Sequence, residues 1–151
     1  MTQRTSHPVR LLAATAVAAS VALLGTGCAF VQQQTGDAWA VTYEVTVDRP
    51  AGSPLSDVTV EGAERRGDAP EVQRLGTRDT RATHGQGSRW EHESVVLAGQ
   101  RASVSATPAP GATATCRVLL DGDREIATRT SPDPGAAVTC SVETPAFSRG
   151  R

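Results

Sequence analysis

Cys28, Cys116, Cys140, His84 and His92 are the residues from which nucleophilic, acid–base or metal chemistry could be built in this 151-residue chain. Lysine is absent, which removes Schiff-base chemistry, and His7 belongs to an N-terminal leader, so only His84 and His92 remain as imidazole bases. The chain has no Gly-x-Ser-x-Gly elbow, no phosphate-cradling glycine loop and no His-Glu-x-x-His helix. Glu91, His92 and Glu93 with His84 offer the one cluster resembling a metal set, but consecutive strand residues point to opposite faces and cannot converge without a bulge. The expectation is a protein with no catalytic site, no metal and no cofactor. Arg65, Arg66, Arg74, Arg78 and Arg81 interleave with Asp68, Glu71 and Asp79, the pattern of a solvated mixed-charge face. With a net charge of −1, nucleic acid is not an implied partner.

The leader opens with Arg4, His7 and Arg10, continues through an uncharged run from Leu11 to Leu24, and ends in Gly25-Thr26-Gly27-Cys28. That is a secretory layout. The run is shorter than the roughly 20 residues of a membrane-spanning helix and is built mostly of Ala. Small residues before a cysteine resemble the bacterial lipobox, in which the thiol receives a diacylglycerol and cleavage makes this cysteine the new N-terminus. Gly25 replaces the large aliphatic residue usual three places before the cysteine, with Leu24 one place further back. Three cysteines in an exported chain leave one unpaired, and acylation of Cys28 removes that odd thiol. Two acyl chains suffice to hold a protein stably on a bilayer. Secretion with Cys28 as a free thiol, or an uncleaved anchor from Leu11 to Val31, are the competing readings. The expected organisation is a signal peptide over 1–27, a lipidated N-terminus and polar tether over 28–37, one folded domain over 38–144 and a flexible tail over 145–151.

Beyond the leader the apolar period is two. Trp39, Val41, Tyr43, Val45 and Val47 share one face, and Ala40, Thr42, Glu44 and Thr46 the other, which predicts a half-buried strand. After the turn cluster Pro50 to Pro54, Val58 and Val60 predict a second strand, and Val72 to Arg81 a more polar one at an edge. Trp90 to Val96 alternates less cleanly, whereas Ala102, Val104 and Ala106 line up well before the Pro108-Ala109-Pro110-Gly111 break. Ala114, Cys116, Val118 and Leu120 precede Asp121-Gly122, a type I′ hairpin signal in which both turn residues take positive φ. The return strand places Arg124, Ile126 and Thr128 on one face, and a last strand aligns Val138, Cys140 and Val142. Short strands at this spacing predict an all-β antiparallel sandwich. Aromatics are only 3 % of the chain, so its core must rest on Val, Ala and Leu.

Cys116 and Cys140 both occupy inward strand positions with apolar residues two places to either side, which predicts a structural disulfide rather than a redox pair lacking Cys-x-x-Cys spacing. Trp90 has two readings, a buried sandwich tryptophan beside that disulfide or an exposed contact for a partner. All 15 basic residues are Arg, Asn is absent and Ile occurs once, a bias expected of a GC-rich genome such as an actinobacterium's.

Ala40-Val41-Thr42-Tyr43-Glu44-Val45-Thr46, Asp57-Val58-Thr59-Val60, the lone Trp90, Gly99 to Ala106, Thr115-Cys116-Arg117-Val118, Asp121-Gly122 and Val138-Thr139-Cys140-Ser141 follow an order that resembles the MmpS-like family over about residues 38–142. That resemblance implies a small immunoglobulin-like β-sandwich in the cell envelope, acting without catalysis as an accessory to MmpL-type transporters, of the resistance-nodulation-division class, that export lipids or siderophores. Members usually keep a transmembrane helix and carry Pro before the tryptophan. This chain has the lipobox-like Cys28 and Arg89 instead.

Overall fold

The computed structural model describes residues 36–147. Nine strands, and no helix among the described residues, follow one another as β1 (Ala38–Val47), β2 (Pro54–Gly62), β3 (Glu71–Asp79), β4 (Arg81–Ala82), β5 (Ser88–Leu97), β6 (Arg101–Pro108), β7 (Ala114–Leu120), β8 (Arg124–Thr130) and β9 (Val138–Glu143). They form two antiparallel sheets, one ordered β4-β5-β1-β7-β8 and the other β3-β2-β6-β9. The expected sandwich is the observed one. It shares the two-sheet architecture and inter-sheet disulfide of immunoglobulin-like domains, with a strand order of its own.

Alternation explains the layers. Val41, Tyr43, Val45 and Val47 of β1 face Leu55, Val58 and Val60 of β2 and Ala102, Val104 and Ala106 of β6 across an apolar interior. Tyr43 is the largest fully buried side chain; its hydroxyl donates to the Glu61 carbonyl, and burial pushes its phenol far above the ordinary value. Most other core groups are small, so the interior stabilises the fold through close inter-sheet approach rather than bulk.

Cys116 in β7 and Cys140 in β9 are bonded, with Cα atoms 5.9 Å apart, and tie one sheet to the other. Closing this loop stabilises the domain by about 3 kcal/mol through the unfolded state. Asp121 and Gly122 both take positive φ, 51° and 88°, and the Asp123 amide donates to the Leu120 carbonyl at 3.3 Å, as the Asp-Gly signal requires.

Four local expectations need correction. Pro54 opens β2 instead of closing the turn. Residues 71–82 form two strands, because the chain passes from one sheet to the other at Thr80. This buried threonine exchanges backbone bonds with Gly52 and Ser53, and its hydroxyl accepts from Ser88 at 2.7 Å. In β8 a register shift opposite Val118 and Leu119 brings both Ile126 and Ala127 against the core, so Arg124, Ile126 and Thr128 do not form one regular face. Pro145 to Phe147 are not free: Phe147 stacks on Trp39 at 4.0 Å, and the Trp39 indole donates to the Pro145 carbonyl at 2.8 Å.

Candidate functional site

Cys28 and the leader lie outside the described residues. His84 sits exposed in the loop between β4 and β5, away from His92 on β5. Glu91 and Glu93 point outward and His92 inward, as strand alternation requires, and no group of three metal-ligating side chains occurs among the described residues. His92 stacks on Trp90 with ring centroids 5.9 Å apart. Partial burial holds its imidazole below the ordinary value, and nearby Arg78 adds to that, against the opposing pull of Glu64 and Glu93.

Trp90 is 8 % exposed and belongs to the core, the buried one of its two expected positions. It does not touch the disulfide through a shared strand edge. Val45 stands opposite Trp90 on one side and opposite Cys116 on the other, so the tryptophan and the disulfide occupy one row across three strands, about 10 Å apart.

Trp90 lines a cleft of about 300 Å³ together with Arg78, Asp79, Arg81, Ala82, Arg89 and Glu91. The fold makes this opening in a specific way. β4 pairs with β5 only at Arg81↔Arg89 and Ala82↔Ser88, and the next cover on that edge is the bridge between Ala63 and Val95. Between them β5 is an open edge. On the opposing sheet Arg78 is paired with the fully buried Leu55, so it projects toward the inter-sheet side at the rim.

No protein-family model matches the chain, and no curated protein matches it. The site therefore has to be read from its own residues.

A second feature lies on the outer face of the five-stranded sheet. Glu44 points away from the core yet is only 4 % exposed. Its two carboxylate oxygens accept from Arg89 at 3.1 Å and Arg117 at 3.2 Å, and those arginines reach on to Glu91 and Glu125. Five charges thus cross β5, β1, β7 and β8 in alternating sign, and the two arginine stems cover the central carboxylate. This ladder was not foreseen, because Arg89 and Arg117 lie 45 and 73 residues from Glu44. Only the β1 register brings them together.

Taken chemically, the described residues offer a rigid ionic face and a cationic cleft.

Proposed function

We propose that this chain is an envelope lipoprotein, held at the extracytoplasmic face of the cell membrane through an acylated Cys28, that acts as a non-catalytic accessory to a transporter exporting lipids or siderophores. The observation that carries the reading is the bond between Cys116 and Cys140. It uses both cysteines of the folded domain and leaves Cys28, behind its small-residue motif, as the odd thiol for lipid attachment. The sandwich has the sheet architecture that the MmpS-like resemblance implies, and an MmpL-type transporter is the partner that follows from it.

A module of this kind works by geometry. Disulfide and ion ladder hold the sheets, and the open β5 edge presents unpaired backbone groups to which an extended segment can add. Mass spectrometry of the mature N-terminus tests the anchor: a chain beginning at acylated Cys28, with palmitate among its acyl groups, is expected, and an intact unacylated leader would overturn it. Co-purification of the intact protein with a transporter tests the partner. Unchanged export of every lipid and siderophore after gene deletion would overturn the accessory role.

A second reading is a free-standing lipoprotein that binds a small apolar or chelating ligand, for which the cleft beside Trp90 offers room. A native mass exceeding that of the acylated chain by one discrete ligand would support it.

A further inference from the structure

The cleft beside Trp90 has a chemical character that neither anchoring nor partner contact requires. Three arginines line it, but only Arg89 is ion-paired, with Glu44 at 3.1 Å and Glu91 at 3.3 Å. The Arg78 guanidinium donates to the neighbouring Thr77 carbonyl at 2.9 Å, and Arg81 has no carboxylate within 4.0 Å among the described residues. Arg81 and Arg89 stand directly opposite one another across the β4–β5 pair. Glu44 and Glu91 answer the Arg89 charge, which leaves Arg81 as the member of this pair whose charge no described carboxylate offsets.

The backbone supplies a further donor. Val95 turns both its N–H and its C=O outward to Ala63, and antiparallel alternation turns those of Glu93, Glu91 and Arg89 to the same side. Arg89 is met by β4, whereas no strand among the described residues stands opposite Glu91. Its amide faces the opening that Arg78 and Arg81 flank.

We propose that this cleft binds the carboxylate or phosphate group of a small anionic molecule, with Arg78 and Arg81 as the charged clamp and the Glu91 amide as a fixed donor. Planar guanidinium forks match such oxygen pairs geometrically. The Glu91 carboxylate is held by Arg89, and Asp79 at the rim opposes a second negative group, so the site selects a single anionic head. Trp90, on which His92 stacks, also lines the cleft, so its emission reports occupancy.

The test uses the full chain in detergent, carrying Trp39→Phe so that Trp90 is the sole tryptophan. Inorganic phosphate, lactate and phosphatidylglycerol vesicles are titrated separately against sodium chloride at matched ionic strength, following Trp90 emission and the Glu91 amide resonance. A saturable change absent with chloride is expected, and Arg78→Gln with Arg81→Gln should weaken it at least about tenfold. Arg65→Gln with Arg66→Gln should leave it unchanged. A response to free phosphate or lactate assigns a soluble ligand, and one confined to vesicles assigns a lipid headgroup. No saturable response, or one that survives the Arg78 and Arg81 substitutions, would overturn the proposal. Should the double variant fail to show native near-ultraviolet dichroism, the shift of the Glu91 amide in the unsubstituted chain decides, because an empty cleft leaves that resonance where chloride puts it.

Discussion

The two long edges of the sandwich are built differently. At the β8–β9 edge the sheets are stapled: Cys116 is bonded to Cys140, and the side chains between them are small, with Ala102, Ala106 and Ala114 letting the layers approach. At the β3–β5 edge the groups are larger and charged, with Arg78, Arg81 and Trp90 lining a cleft, and one strand breaks off after two residues. Covalent and packing stabilisation at the first edge lets the second keep unpaired donors and an opening. A domain with few aromatics can maintain a binding cleft only if its cohesion lies elsewhere.

That contrast can be broken most severely at the stapled edge. Replacing Cys116 and Cys140 with Ser should lower unfolding free energy by about 3 kcal/mol, read as a drop in urea midpoint with a steeper denaturant slope, because the unlinked unfolded chain exposes more surface. A loss below about 1 kcal/mol would mean that the edges do not differ in this way. Next comes the ladder that spans both halves of the sheet. Glu44→Ala removes the shared acceptor of Arg89 and Arg117 and should cost about 2 kcal/mol, because the partners remain half-exposed and regain water. A double-mutant cycle with Arg117→Ala should recover part of that cost as coupling energy.

Amide exchange sharpens the comparison without substitution. Glu91 and Glu93 should exchange far faster than Val45 or Cys116, whose amides lie in the sheet interior. Equal protection on β5 and β7 would refute an open edge.

The smallest effect is a pH dependence. Burial, with Arg78 beside it, holds His92 below its ordinary value in the folded state, against Glu64 and Glu93. The unfolded chain therefore binds the extra proton first as pH falls through about 6.5, and the fold loses stability between there and the lower folded value. His92→Gln should flatten the melting temperature over that window.

Much of the architecture was legible because it rests on period two. The inward faces of β1, β6, β7 and β9, the Asp-Gly hairpin and the disulfide all follow from neighbours one or two residues away. What escaped depends on partners remote in the chain. Glu44 was assigned correctly to the outer face, yet its burial comes from two arginines on other strands, which alternation cannot reveal. β4 was hidden because a two-residue strand has no period, and with it went the cleft, whose walls come from β3, β4 and β5. Trp90 carried a visible choice between core and surface, and only the row shared with Val45 and Cys116 decides it.

The position of β1 has a kinetic consequence. It precedes the other described strands in the chain, yet it lies at the centre of its sheet, and its partners Trp90 and Cys116 stand 45 and 71 residues beyond Val45. The β1–β5 ladder must wait for residue 97 and the β1–β7 ladder for residue 120, so long loops must close before any pairing of β1 repays them. Refolding should fall in the millisecond-to-second range of non-local β proteins. A chain emerging N-terminus first must hold a valine-rich segment unpaired until its flanking strands arrive.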